Sequence, residues 1–294
     1  MSEAETISRV KRPNTVASLV EELRELGVRS GDLLLVHSSL SALGWTAGGP
    51  HAVVLALLEV LGSNGTLVMP THSGQYTDPA GWEAPPVPAD WVDTIRSSRP
   101  AFDPAMTPTR GMGSIVECFR THPDTVRSRH PLYSFAANGP LADEVTRHDF
   151  DFGLGEGSPL RHLYDRNARV LLAGVGYDRC TSLHLAEHRA DLSLATLFYT
   201  LPVTSGGSVE QVTFRDLDVD ADDFAQLGLE WEHQVSGSRV DGSRRDSGTA
   251  GGNPPVSRGT IGTAVCRLLQ QRPLVDYAVS RLPTIRRLEG HTRL

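Results

Sequence analysis

The sequence lacks any apolar run that approaches the roughly 20 residues of a membrane-spanning helix. Its N-terminus, MSEAETISRVKRPNT, also lacks the apolar stretch of a signal peptide. These two absences predict a protein without a membrane partner. We expect it to reside in the cytoplasm.

Cysteine and positive charge are both scarce. The three cysteines lie far apart, their number is odd and no pair has CxxC spacing, which disfavours a disulfide framework and indicates a reducing compartment. The net charge of -7 makes nucleic acid an unfavourable partner. A cationic small molecule fits this sign, although a mild acidic balance is also common among soluble proteins.

Apolar residues make up 39% of the 294 residues, enough for a sizeable core. Apolar periodicity predicts an α/β protein, because helical spacing alternates with short buried-strand runs. The predicted helices are Thr15–Leu26 and Gly48–Leu61, and the predicted strands are Asp32–His37, Gly65–Pro70 and Arg169–Val175. A further helix is expected over Thr260–Leu282, interrupted at Pro273. We expect one domain over residues 1–294, with long functional loops and a mobile excursion at 235–258.

The stretch TSLHLAEHRA carries His184, Glu187 and His188 on one face of a predicted helix that directly follows a strand. Ligands bind beyond the carboxyl ends of strands in open α/β sheets. Glu187 could fix the tautomer of His184, as a general base requires. Two alternatives remain: a solvated amphipathic face, or a metal pair formed by the two histidines. HLAEH is not the HExxH metal motif, and no third ligand is evident.

Three further stretches suit a phosphorylated ligand, although serine-rich turns and solvated basic groups are also common. VHSSLSALG follows a strand and offers hydroxyls and amides to a phosphate or a pantetheine arm. FDPAMTPTRGMGSIVECF combines threonines, Arg110 and glycine amides before a helix-like run. SRHPLYSFAANGP supplies basic side chains, including His130.

In this order, VHSSLSALG, GTLVMP, FDPAMTPTRGMG, SRHPLYSFAANGP and TSLHLAE resemble the aminoglycoside 3-N-acetyltransferases over about residues 15 to 285. The resemblance implies an α/β sandwich around a mixed central sheet, distinct from GNAT acetyltransferases. It implies acetyl transfer from acetyl-CoA, a co-substrate, to the 3-amino group of a 2-deoxystreptamine aminoglycoside, and thereby antibiotic resistance. No metal is implied.

The resemblance also implies roles for individual residues. His184 would be the general base, Glu187 its partner and Asp216 an acidic site residue, with Asp218 and Asp220 as rivals for that position. His188 has no trusted counterpart and is expected at the surface. The implied coenzyme contacts are His37, Ser38, Ser39, Leu40, Ser41, Thr107, Thr109, Arg110, Gly111, Met112, Gly113 and His130. The cationic substrate would meet Asp78, Glu83, Asp93, Glu187 and Asp216.

Three other functions stay open on sequence alone. The same fold could acetylate a different amine, such as an amino sugar or amino-nucleotide. A metal-dependent hydrolase could use His184 and His188, and a binding protein could keep the fold without catalysis. The oligomeric state is also open, with a homodimer as one alternative.

Overall fold

The structure is a computed structural model that describes residues 2–83, 85–237 and 254–288. Its strands are β1 Leu33–Ser38, β2 Thr66–Pro70, β3 Val126–Arg127, β4 Phe135–Asn138, β5 Arg169–Ala173, β6 Thr196–Ser205, β7 Ser208–Leu217, β8 Val256–Ile261 and β9 Ala264–Gln270. Its α-helices are α1 Glu3–Ser8, α2 Val16–Leu26, α3 Leu40–Leu43, α4 Gly49–Leu61, α5 Val92–Ser98, α6 Ser114–Arg120, α7 Ala142–Val145, α8 Pro159–Asp165, α9 Ser182–Arg189, α10 Phe224–Gly237 and α11 Gln271–Leu288.

A seven-stranded mixed sheet in the order β3-β4-β2-β1-β5-β9-β8 forms the centre, and β6 and β7 make a separate hairpin. Strand β1 is parallel to β2 and to β5, whereas β4 and β9 run antiparallel to their neighbours. The carboxyl ends of β1, β2 and β5 therefore meet at one edge of the sheet. This confirms the expected α/β class with a mixed central sheet.

Side chains of β1 alternate between two apolar layers, because successive residues of a strand point to opposite faces. Leu34 and Val36 pack on the layer that contains α2, α4 and α6. Leu33 and Leu35 pack on the other layer, which is formed by α7 to α11. Both faces of the sheet are thus covered, which explains why the strand reads as a continuous apolar run.

The first predicted helix forms because its ends carry the expected capping residues. Thr15 accepts a hydrogen bond from the amide of Ser18, and Gly27 ends the helix with a φ of 106°. Leu19, Val20 and Leu23 lie on its buried face. The predictions for Thr15–Leu26, Asp32–His37, Gly48–Leu61, Gly65–Pro70 and Arg169–Val175 agree with the observed elements to within two residues.

The helix expected over Thr260–Leu282 is wrong in its first half. Residues 256–261 and 264–270 form the antiparallel pair β8–β9, and burial along β9 largely alternates as it does in a strand. Pro273 does not interrupt α11, because it occupies the first turn, where a missing amide proton breaks no helical hydrogen bond.

The mobile excursion expected at 235–258 overlaps two described elements. Its start continues α10 and its end belongs to β8, while residues 238–253 lie outside the described part of the chain. The long segment after β2 contains three short 3₁₀ turns and α5. Among the described residues, no helix is both long and apolar enough to cross a membrane.

Candidate active site

A cavity of about 930 Å³ opens where β1, β2 and β5 end, and we call it the main cleft. Its walls come from β1 and the turn into α3, from the start of α4, from residues 111–116 and from the segment after β5. Gly174, the first residue after β5, has a φ of 72°, and a Cβ there would lie 2.4 Å from Cβ of Ala42. Glycine therefore lets α3 pack closely against the end of β5.

Most of the predicted coenzyme residues line this cleft: His37, Ser38, Ser39, Leu40, Ser41, Gly111, Met112 and Gly113. The Oγ atom of Ser38 is buried and has no hydrogen-bond partner among the described residues. Because a buried hydroxyl without a partner costs free energy, this atom fits a ligand that would hydrogen-bond it. Ser39 instead caps α3, accepting a hydrogen bond from the amide of Ala42.

The threonines and the arginine expected beside the coenzyme make other contacts. Thr107 accepts a hydrogen bond from the Asp103 amide and lines a separate, mainly apolar cavity of about 530 Å³. The Thr109 amide donates to Glu117 over 2.6 Å. The guanidinium of Arg110 lies 4.6 Å from the ring centroid of Trp82. These side chains do not belong to the walls of the main cleft.

His130 lies in the protein interior, away from the main cleft. Its Nδ1 accepts from the amides of Leu132 and Tyr133, and its Nε2 donates to the carbonyl of Phe150. Burial lowers the pKa of His130 to about 3, so the ring is neutral. Because both ring nitrogens already have hydrogen-bond partners, the neutral ring stabilises the loop. It has neither a free donor nor a positive charge with which to bind a phosphate.

His184 and Glu187 meet on α9 as their spacing predicts. Nδ1 of His184 lies 2.5 Å from Oε2 of Glu187, and the Glu187 side chain is fully buried. A ring that donates Nδ1–H to a carboxylate leaves the lone pair on Nε2. No partner of Nε2 is found among the described residues, so this atom is available to accept a proton.

Two other histidines lie close to His184, at the ends of β1 and β2. His37 is within hydrogen-bonding reach of the Thr181 hydroxyl, one turn before His184 on the same segment. Burial, followed by the charge of His184, lowers the pKa values of His37 and His72 to about 3. Both rings are therefore neutral at neutral pH and would not repel a cationic substrate.

The expectation that His188 lies at the surface is wrong. Its side chain is 5% exposed, and its Nε2 lies 3.7 Å from Oδ1 of Asp216. That distance is too long for a hydrogen bond. Because burial lowers the pKa of His188 to about 4, a neutral ring, not an imidazolium, lies beside this carboxylate. Apolar residues surround α9, so the face that carries His188 points into the protein.

Asp216, on β7, is buried in the same region, and its Oδ2 accepts a hydrogen bond from the Gly153 amide. Burial raises the pKa of Asp216 to about 6, against the lowering effect of that hydrogen bond and of nearby His184. Its rivals differ in position: the backbone amide of Asp220 donates to Glu187, and Asp218 acts electrostatically on Tyr133 and Tyr199.

Sequence reasoning missed three side chains of this region: Arg286, Tyr133 and Tyr199. Arg286, on α11, pairs with Glu187 at 2.7 Å. Burial raises the pKa values of both tyrosines, and the carboxylate of Asp216 adds to it. Tyr133 lies within the quoted SRHPLYSFAANGP, but no sequence spacing links Arg286 or Tyr199 to the site.

The acidic residues expected to meet the substrate lie on the long segment after β2. Asp78 and Asp93 both pair with Arg96, at 2.8 and 3.0 Å. Glu83 is exposed. Asp78 also contributes to the raised pKa of Tyr199, which links this segment electrostatically to Asp216. Within residues 2–83, 85–237 and 254–288, no group of three or more His, Cys, Asp or Glu side chains could hold a metal ion.

Known proteins resemble this chain over most of its length. The family model described as aminoglycoside 3-N-acetyltransferase matches residues 35–244. The chain belongs to this family. This aminoglycoside 3-N-acetyltransferase family member is 39% identical over 221 residues to aminoglycoside N(3)-acetyltransferase VIII of Streptomyces fradiae, covering 74% of this chain and 76% of that enzyme.

The family member is also similar to the SPbeta prophage-derived aminoglycoside N(3')-acetyltransferase-like protein YokD of Bacillus subtilis (strain 168). The two are 40% identical over 268 residues, 90% of this chain and 91% of YokD. The crystal structure of YokD superposes with a TM-score of 0.83 at 37% identity, covering 95% of this chain and 97% of that one.

Two ligand-bound acetyltransferase structures are similar as well. AAC-IIIb in binary complex with CoASH has a TM-score of 0.77 at 28% identity, covering 93% and 98% of the two chains. AAC-VIa bound to sisomicin has a TM-score of 0.73 at 31% identity, covering 93% and 99%. The expected fold, distinct from the GNAT acetyltransferases, is confirmed.

Proposed function

We propose that this protein transfers the acetyl group of acetyl-CoA directly to the 3-amino group of 2-deoxystreptamine aminoglycosides, and so confers antibiotic resistance. The single observation that carries the proposal is the pairing of His184 with buried Glu187, which leaves Nε2 of the imidazole free. Family membership, the CoASH complex of AAC-IIIb and the sisomicin complex of AAC-VIa support the two substrates.

Acetyl-CoA would lie in the main cleft and supply a thioester, a carbonyl activated for attack by an amine. Ser38 would donate its otherwise unpaired hydroxyl to the coenzyme, and Ser41 and the backbone of residues 111–113 would form the opposite walls. Gly111 and Gly113 have φ values of 76° and 88°, and a Cβ at either would meet nothing within 4 Å. Their conformation, and not a lack of space, accounts for glycine at these positions.

His184 would accept a proton at Nε2 from the substrate ammonium, which leaves a neutral amine as the nucleophile. The amine nitrogen then bonds to the acetyl carbon, the carbon–sulfur bond breaks, and the proton that the acetylated nitrogen loses balances the one that the leaving thiolate takes up. Glu187 stabilises the imidazolium that forms in this step. General-base assistance of this kind contributes about 10²–10⁴-fold to the rate.

The acceptor would bind on the side of Asp216, Glu187 and the tyrosines. A polycationic aminoglycoside needs carboxylates in a cleft, where charges are screened less than at an open surface. Asp216 and Glu187 are buried, whereas Asp78, Glu83 and Asp93 would attract the substrate from the long segment after β2. Because Arg96 already pairs with Asp78 and Asp93, we expect these two to contribute less than Asp216.

The test is thiol release from acetyl-CoA with a panel of aminoglycosides that have or lack a free 3-amino group. Wild type, His184→Ala and the exposed control His51→Ala are compared. We expect release only with the 3-amino group, lost in His184→Ala and retained in His51→Ala. Release that survives His184→Ala would remove His184 as the base. Release without the 3-amino group would assign a different acceptor nitrogen.

A further inference from the structure

Arg286 lies at the centre of a buried group of charges that connects the last helix to the candidate base. Its side chain is 8% exposed. Its Nε lies 2.9 Å from Oδ2 of Asp223, and its Nη2 lies 2.7 Å from Oε1 of Glu187. Nη2 also donates to the backbone carbonyl of Asp220 over 3.1 Å. The guanidinium therefore has fixed partners on both the loop before α10 and helix α9.

The Glu187 carboxylate is held at both oxygens. Oε2 faces Nδ1 of His184, while Oε1 receives Arg286 and, over 3.2 Å, the backbone amide of Asp220. Rotation of this carboxylate would break contacts on both oxygens at once. The arrangement consequently fixes which ring nitrogen of His184 carries the proton.

The positive charge of Arg286 matters because the other titratable groups around His184 and Glu187 are neutral or acidic. Burial opposes a charge on Arg286, but Asp223 and Glu187 together outweigh burial and raise its pKa. Titratable groups that interact electrostatically with His184 or Glu187 include His37, His72, His188, Asp216 and Tyr133, and Oδ1 of Asp220 lies 3.8 Å from Nη2 of Arg286. Among these named neighbours, Arg286 supplies the only positive charge at neutral pH.

We propose that Arg286 is a positioning residue that acts through Glu187 to hold the ring proton of His184 on Nδ1 and so leave Nε2 as the basic nitrogen. This inference rests on the proposed function of His184 as the base. A carboxylate and an imidazole bind a proton more tightly when a neighbouring cation is removed. Without Arg286, Oε1 of Glu187 would lose its cationic partner, and the Glu187–His184 pair would bind a proton more readily.

The first test compares pH–rate profiles of wild type, Arg286→Met, Arg286→Lys and the control Arg287→Met. Arg287 is the adjacent, exposed arginine, whose Nε donates to the Pro283 carbonyl. We expect Arg286→Met to lose about 10- to 100-fold in kcat near neutral pH, less than the full general-base contribution of about 10²–10⁴-fold. Its acid limb should move to higher pH, so part of the rate returns in alkaline buffer.

Arg286→Lys keeps a positive charge and should fall between wild type and Arg286→Met, while Arg287→Met should match wild type. The Kd for coenzyme A should not change in any of these variants. A loss that is the same at every pH, or a wild-type profile in Arg286→Met, would overturn the proposal. Arg286→Lys also gives an interpretable result if Arg286→Met does not fold.

The second test does not depend on turnover. In ¹⁵N-histidine NMR spectra of the ligand-free protein, wild-type His184 should show a protonated Nδ1 and an unprotonated Nε2. Arg286→Met should acquire a proton on Nε2 at neutral pH, and Arg287→Met should not. In a Glu187→Gln background, Arg286→Met should have no additional effect on this spectrum. If no amine is acetylated, the proposed function fails but this spectrum still decides the role of Arg286.

Discussion

Nε2 of His188 lies 3.7 Å from Oδ1 of Asp216, and both side chains are buried. The pair is a neutral ring beside a carboxyl whose pKa burial raises to about 6. Near neutral pH this carboxylate carries a charge that its surroundings stabilise poorly. A buried carboxylate of this kind is suited to receive a cation from a ligand.

Replacing Asp216 by Asn should remove the pH dependence of stability that this carboxyl causes and weaken the binding of an aminoglycoside. The pKa of an aspartate is about 3.9 in an unfolded chain, so folding stability should fall as the pH rises through the range from about 4 to 6. Asn does not ionise and avoids this loss, about 2–3 kcal/mol above pH 7. Thermal unfolding against pH measures the difference, with exposed Asp222→Asn as the control.

The same Asp216→Asn variant should raise the KM for the aminoglycoside, because the carboxylate that would pair with an ammonium is gone. Isothermal titration with coenzyme A should give an unchanged Kd. A lower Tm at pH 7 together with an unchanged KM would show that the carboxylate supports the fold and does not bind the acceptor.

Glu187→Gln should reduce kcat by less than His184→Ala does. The amide still occupies the site beside Nδ1, but it cannot stabilise an imidazolium by charge. We expect a loss of about 10-fold, smaller than the full general-base contribution of about 10²–10⁴-fold. Steady-state thiol release gives kcat, and exposed Glu59→Gln on α4 is the matched control. Equal losses in Glu187→Gln and His184→Ala would mean that the charge is as important as the base itself.

Ser38→Ala should weaken coenzyme A binding, since the buried hydroxyl loses its proposed partner. A net hydrogen bond is worth about 0.5–1.5 kcal/mol, which corresponds to roughly two- to twelve-fold in Kd. Calorimetric titration measures this change, and Ser97→Ala, on exposed α5, should bind as wild type does. An unchanged Kd in Ser38→Ala would move the coenzyme contact to another wall of the cleft.

His130→Ala should destabilise the fold without affecting the coenzyme. The variant leaves a cavity and removes the partners of the Leu132 and Tyr133 amides and of the Phe150 carbonyl. We expect a loss of about 3 kcal/mol or more in the free energy of unfolding. Denaturant unfolding measures it, with His51→Ala as the control. If His130→Ala kept its full stability but bound coenzyme A more weakly, His130 would belong to the coenzyme site.

Acid should unfold the protein through its buried histidines. Burial is the main cause of the lowered pKa values of His37, His72, His130 and His148. The unfolded chain binds protons at these rings below a pH of about 6.5, so each costs about 1.4 kcal/mol of stability per pH unit. The raised pKa of Asp216 has the opposite effect on folding stability, but Asp216 is a single group. Circular dichroism against pH should show unfolding well above pH 3, and a fold that persists at pH 3 would contradict this.

Local patterns predicted the elements that build the site. The apolar run of β1 and the spacing of His184 and Glu187 on α9 are readable because both depend on neighbouring residues. The candidate role of Ser38 was predicted from its position at the end of a strand. The β8–β9 hairpin was misread as helix, because a short apolar run has no period that separates a buried strand from a buried helix.

Contacts between distant segments could not be predicted in the same way. Asp216 reaches α9 from the β6–β7 hairpin, and Arg286 reaches it from the C-terminal helix. Asp216 was expected only through the family resemblance and Arg286 was not expected at all, because their contacts with α9 exist only after the sheet brings these segments together. The outward assignment of His188 failed for the same reason, since the partner that buries its face is distant in sequence.

The position of Arg286 on the last helix has a consequence for synthesis of the chain on the ribosome. Glu187 is translated 99 residues before the arginine that pairs with it (286 − 187 = 99). A nascent chain can complete the sheet from β1 to β5 and still hold an acidic side chain that has no cation beside it. The charge group around Glu187 is therefore complete only when α11 is present, and chains that stop short of this helix would hold His184 and Glu187 without Arg286.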